Sequence, residues 1–287
     1  MMKNLLLTLA AGLLAVSCII NIGGMSWVGN CTEEGIDFTD IRDVIPFYGL
    51  SSSLPCNVYY IQGDKQEVRV ESTREFADKV ITTVEDGTLK LKLEDGRYPK
   101  LILRVVISSP DIESITVSGS GNLIHEGALR ASKDLSLRVS GSGDLLAGDI
   151  GSKGLKAHVS GSGSICATSI ACEDFDGSVS GSGSLRIGTV ACDGFEAATS
   201  GSGHVDIETL TAKGDASVRI SGSGRIRLHE VTVDGDMDLK TTGSGSILVN
   251  GRCRDVNAST SGSGSISGSL THTGIHATSS GSGRIDL

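Results

Sequence analysis

The sequence predicts an all-β fold, a parallel β-helix or β-solenoid with coils of about 20 residues, right-handed, behind a β-rich N-terminal cap. Three observations predict it. A Ser-Gly-Ser-Gly turn recurs nine times at a nearly fixed period, the ninth variant opening with Thr242. Apolar residues hold fixed columns on either side of each turn. The 287 residues include 39 glycines but only 4 prolines and 3% aromatics, a composition suited to a thin repetitive core.

Residues 1–17 read as a lipoprotein signal peptide. Lys3 supplies the positive start, Leu5 to Leu14 the short apolar stretch, and Ala15-Val16-Ser17 the small residues a peptidase cleft admits. Cys18 follows directly, an arrangement that resembles the lipobox of bacterial lipoproteins. Cys18 is therefore the expected lipid-attachment residue and mature N-terminus, tying the chain to a membrane through its acyl chains. Residues 18–35 form the linker that follows. Ile19-Ile20-Asn21-Ile22 stands where surface-displayed lipoproteins carry acidic residues, and Glu33-Glu34 come late. The expected location is the cell envelope, anchored in the outer membrane, with the periplasmic or surface face left open. No later stretch approaches the ~20 apolar residues of a membrane span.

Residues 36–117 read as a β-rich cap region. Val58 to Ile61 and Glu67 to Glu71 form strands around a Gln62-Gly63-Asp64 turn. Asp86-Gly87 marks a tight turn between Val80–Val84 and Leu89–Leu93. Leu101 to Ile107 is a further strand, and Ser114 to Val117 leads into the first repeat.

Residues 118–287 form the repeat solenoid. The turns begin at Ser118, Ser140, Ser160, Ser180, Ser200, Ser221, Thr242, Ser261 and Ser280. Before them stands a column containing Leu135, Leu155, Phe175, Phe195, Ala216, Met237, Val256 and Ile275. After them comes one containing Leu123, Leu145, Ile165, Leu185, Val205, Ile226, Ile247, Ile266 and Ile285. Polar residues such as Arg138, His158, Arg219 and Lys240 alternate with these, the period of a strand with one buried face. Repeated column identities favour stacking coils over independent hairpins. Corner glycine supplies positive φ without steric cost, and corner serines can bond the neighbouring coil. The final coil reaches Leu287 without a visible cap, so its edge is expected to meet a partner or a second copy.

Phe47-Tyr48-Gly49-Leu50, Gln62-Gly63-Asp64, Val68 to Glu71, Glu85 to Leu89 and Ile112 to Gly121 resemble the putative auto-transporter adhesin, head GIN domain family. The resemblance runs from about residue 38 onward and implies an all-β solenoid in secreted or lipid-anchored bacterial proteins. It brings no catalytic residues with it.

Composition excludes several functions. A net charge of −9 is unsuited to nucleic acid, which needs clustered Lys and Arg. The Gly-rich turns join strands, so they lack the helix N-terminus that makes such loops phosphate cradles. Asp144 follows its turn, but Asn122, Ser164, Ser184 and His204 hold the equivalent places, breaking a calcium ladder. The expected role is a non-enzymatic envelope lipoprotein, adhesin-like or scaffolding, with a glycan or protein ligand and with no cofactor, metal or catalytic residue.

The rival reading is a carbohydrate-active enzyme or glycan-binding protein on a β-helix. Asp174, Asp176 and Asp193, or Asp206 with Glu208, would be its acids. Solvated coil faces account for the same carboxylates. His272 and His276 are four apart on strand-and-turn sequence, which does not align them as metal ligands. Cys172 and Cys192 should stack on adjacent coils as buried thiols or as a cross-coil disulfide. Cys31 can pair with Cys56, while the states of Cys166 and Cys253 are open.

Overall fold

The computed structural model describes residues 31–287. The signal segment 1–17, the lipid-attachment residue Cys18 and the linker as far as residue 30 lie outside the described residues. The chain winds as a parallel β-solenoid whose two long sheets face each other across one continuous core. The front contributes β1 (Cys31–Thr32), β2 (Phe38–Arg42), β3 (Gly49–Ser52), β4 (Val58–Gln62) and β5 (Glu67–Ser72). A single turn of helix, α1 (Arg74–Ala77), precedes β6 (Val80–Glu85), β7 (Thr88–Leu93), β8 (Leu101–Ser109) and β9 (Ser114–Val117).

The repeats then alternate between the sheets. One sheet receives β10 (Leu123–Arg130), β12 (Leu145–Gly151), β14 (Ser164–Ala171), β16 (Ser184–Cys192), β18 (His204–Ala212), β20 (Arg225–Val233), β22 (Ser246–Arg252), β24 (Ser265–Thr271) and β26 (Arg284–Asp286). The other receives β11 (Leu135–Val139), β13 (Gly154–Val159), β15 (Asp174–Val179), β17 (Gly194–Thr199), β19 (Ala216–Ile220), β21 (Met237–Gly243), β23 (Asp255–Gly262) and β25 (Gly274–Gly281).

The columns read from sequence are the observed registers. Leu135 pairs with Leu155, Leu155 with Phe175, Phe175 with Phe195, and Phe195 with Ala216. Ile165 likewise pairs with Leu185, and Leu185 with Val205. These side chains are fully buried, so period-two alternation has put one face of each strand into the core. Phe175 and Phe195 stack at 5.4 Å with their rings 10° from parallel. Gly177 makes room for them: a Cβ there would sit 2.8 Å from both Phe175 Cε1 and Leu185 Cδ2.

Most corner glycines are required by close approach rather than by positive φ. Only Gly243, Gly262 and Gly281 among them have left-handed φ (112°, 109° and 96°). At Gly161 a Cβ would lie 2.1 Å from Gly141 O, because successive corners stack backbone on backbone. Backbone N–H groups, more than serine hydroxyls, bond these corners together. Ser162 and Gly163 both donate to Gly141 O, at 3.1 and 3.2 Å. Ser118 and Thr242 hydroxyls add bonds to Ser52 O and Ile220 O.

Residues 36–117 continue both sheets. β4 joins β10 and β8 in parallel, while β3 joins β9 and β7. Antiparallel strands β2, β5 and β6 are added outside them. The β6–β7 hairpin turns at Asp86 (φ 50°) and Gly87 (φ 69°), as the Asp-Gly pair predicts. Glu71, nearly buried, takes guanidinium contacts from Arg69 (2.7 Å) and Arg104 (2.6 Å). No helix among the described residues is long and apolar enough to cross a membrane.

Candidate binding face

The carboxylates singled out in the sequence spread over both outer faces. Asp174 and Asp176 stand exposed on β15, with Lys156 and Glu196 level with Asp176 on the neighbouring coils. Asp193 precedes β17 and meets Lys213 one coil on, at 2.8 Å. Asp206 and Glu208 are on β18 in the other sheet, so the two proposed acid groups are not brought together. His276 lies in β25 beside Asn257, and His272 in the turn before it; neither spacing is helical.

Sequence reading missed His229. Register sets Arg227 beside Asp206 and brings His229 level with Glu208 on β20. Adding the 21-residue coil step to Glu208 lands on His229, so the signal was present in the repeat. His229 Nε2 lies 2.8 Å from Asp206 Oδ1, and Arg227 Nη1 lies 3.4 Å from Asp206 Oδ2. Donor atoms of Asp206, Glu208 and His229 all fall within 4.8 Å of one another.

An imidazole with two carboxylates is a donor set that suits a divalent transition ion. A zinc-like ion needs each donor about 2.0–2.2 Å away. Here Asp206 already contacts the Arg227 guanidinium. Next to it, His204 is held below the usual histidine range by desolvation, then by Arg225, Arg227 and Arg186. The cluster is a mixed-charge patch, with cations close enough to oppose a divalent ion.

The opposite sheet carries a dip. Its outer column runs Arg138, His158, Ser178, Ala198, Arg219 and Lys240, each level with the next. Ser178 and Ala198 are small, which leaves a shallow cavity of 350 Å³ that His158, Arg219 and Lys240 also line. His158 Nδ1 is 2.9 Å from Ser178 Oγ, and Arg219 Nη1 is 2.5 Å from Glu196 Oε1. Hydroxyls and cations at fixed coil spacing suit a polar, hydroxyl- or carboxylate-bearing surface.

The thiols divide by environment. Cys172 and Cys192 occupy neighbouring coils, with Cys172 N–H donating to Ala191 O at 3.1 Å. Burial pushes Cys172 up to about 11 and Cys192 up to about 12, with nearby Asp174 and Asp193 adding to it. Cys31 is held below the usual thiol range, chiefly by a hydrogen bond with Cys56. The same contact, with burial, pushes Cys56 well above it.

The sequence pattern of the family described as putative auto-transporter adhesin, head GIN domain, matches residues 46–230 and 196–287. No curated protein matches the chain. Three solved structures share the fold. A putative lipid binding protein from Parabacteroides distasonis ATCC 8503 aligns with a TM-score of 0.68 and 21% identity, over 89% of this chain and 98% of its own. A putative adhesin from the same organism aligns at 0.64 and 16%, over 89% and 99%. A putative adhesin from Parabacteroides merdae ATCC 43184 aligns at 0.64 and 14%, over 90% and 98%. At such identities the likeness carries the fold alone.

Proposed function

This chain belongs to the head GIN domain family, and on that premise we propose that it is a non-enzymatic, adhesin-like protein of the cell envelope. In this reading Cys18 carries the lipid that holds it to the outer membrane, and the solenoid presents its outer faces to a glycan or protein ligand. The dip at Ser178 and Ala198, flanked by His158, Arg219 and Lys240, is the contact we assign to that ligand.

One observation carries the reading: several carboxylates on the coil faces are engaged by basic side chains of the next coil. Asp193 meets Lys213, Glu196 meets Arg219, Asp206 meets Arg227 and His229, and Asp236 meets Arg254. A glycosidase needs two carboxyl groups facing one bond from opposite sides. The paired ladders favour a recognition surface over such a cleft.

The test has two arms. Protease shaving of intact cells, comparing wild type with Cys18→Ala, reports the tether and the membrane face. A panel of acidic and neutral polysaccharides, assayed for retention and for new reducing ends, reports the chemistry. Retention that Arg219→Ala with Lys240→Ala weakens, without new reducing ends, supports the proposal. Reproducible turnover lost in Asp174→Asn or Asp206→Asn would replace it with the enzyme reading.

A further inference from the structure

Strand β1 is two residues long, yet it enters the fold at a crowded place. It pairs with the beginning of β8, Cys31 level with Leu101 and Thr32 level with Ile102. Strand β4 runs along the same side of β8 further on, starting with Val58 level with Val105. Just before it, Asn57 O accepts Val105 N–H at 3.3 Å. The chain ends of β1 and the β3–β4 loop thus approach each other around Leu103.

Side chains close the gap. Glu33 accepts hydrogen bonds from Asn57 Nδ2 (3.0 Å) and the Tyr59 hydroxyl (2.9 Å). Those residues flank the cysteines: Glu33 is two beyond Cys31, and Asn57 follows Cys56. Cys31 Sγ lies 3.3 Å from Leu103 O, and the Cys56 thiol beside it pulls the Cys31 pKa down. Both line one cavity, at whose edge Gly121 packs so tightly that a Cβ would meet Cys56 O at 2.1 Å. Cys56 is therefore held by the first Ser-Gly-Ser-Gly corner, whereas Cys31 is held by a two-residue strand.

We propose that Cys31 and Cys56 form a disulfide that fastens the entry strand to the first corner of the solenoid. Force arriving from the N-terminal side would then pass into the coils through a covalent bond. The inference rests on the envelope reading for its oxidising compartment. The oxidant is a disulfide-bearing exchange partner, protein or small molecule. The Cys31 thiolate, half-exposed and favoured by its contact with Cys56, attacks one sulfur of that disulfide and releases the other as a thiolate. Cys56, giving up its proton to solvent, then attacks Cys31 Sγ. The partner leaves fully reduced, having taken two electrons, and the Cys31–Cys56 bond remains.

The experiment takes the full chain from envelope membranes, blocks free thiols with N-ethylmaleimide under denaturing, non-reducing conditions, and maps proteolytic peptides by mass spectrometry. The expected result is one linked peptide pair carrying Cys31 and Cys56, two hydrogens lighter than the sum, with neither residue alkylated. Cys31→Ser should free Cys56 for alkylation and speed protease cutting ahead of β2 severalfold. Both cysteines alkylated, or Cys56 linked elsewhere, would overturn the proposal. Oxidised glutathione added to the purified, reduced chain separates the reasons. Linkage there but not in envelope protein faults the compartment, and linkage in neither faults the pairing itself.

Discussion

Gly161→Ala puts a methyl carbon 2.1 Å from Gly141 O, where ordinary contact begins only at about 3.4 Å. The corner must open by roughly 1 Å to admit it. Gly141 O is the same oxygen that accepts Ser162 N–H at 3.1 Å and Gly163 N–H at 3.2 Å. Opening the corner weakens both bonds, and a buried backbone group left without a partner costs about 1–3 kcal/mol. The expected destabilisation is therefore about 2–5 kcal/mol, several degrees in Tm for a chain of this size.

Gly63→Ala is the matched control: nothing lies within 4 Å of its would-be Cβ, and its φ is not left-handed. It should be neutral or slightly stabilising, by about 0.4–1 kcal/mol. Urea unfolding followed by circular dichroism measures both. Because solenoids need not unfold in one step, amide exchange at residues 160–163 should report the loss locally. A Gly161→Ala protein within about 0.5 kcal/mol of wild type, with unchanged exchange there, would refute the stacked-corner account.

Two further outcomes follow from the core. Gly177→Ala should destabilise by about 1–3 kcal/mol through overpacking on Phe175, and Phe175→Leu in the same chain should recover part of that loss; additive losses in a double-mutant cycle would rule the contact out. Cys192, buried and raised to about 12, keeps its proton in the folded chain while the unfolded chain releases it above about pH 9. Stability should thus fall as pH rises from about 9 towards 12, by at most about 1.4 kcal/mol per unit from this thiol. Cys192→Ala should flatten the slope of the urea midpoint between pH 9 and 11, and an unchanged slope would show the thiol is not its source.

In a solenoid the repeat period is the contact map, and this explains how much could be read in advance. Once the turns at Ser140 and Ser160 are aligned, Leu135 must meet Leu155 and Arg138 must meet His158. Period-two alternation then decides which of them is buried. Even the Glu208–His229 approach follows from adding one coil step, although single-residue scanning does not suggest it.

Tertiary structure alone decided what does not repeat. The pairing of β1 beside β4 along β8, and with it the meeting of Cys31, Cys56 and Glu33, joins segments with no periodic relation. The purpose of the corner glycines was also hidden, because φ belongs to one residue whereas close approach belongs to two stacked coils. The pairing of Asp193, Glu196 and Asp236 with cations was hidden too, because it depends on how side chains of neighbouring coils reach across. Periodicity specifies contacts between equivalent positions; contacts between unlike positions need the third dimension.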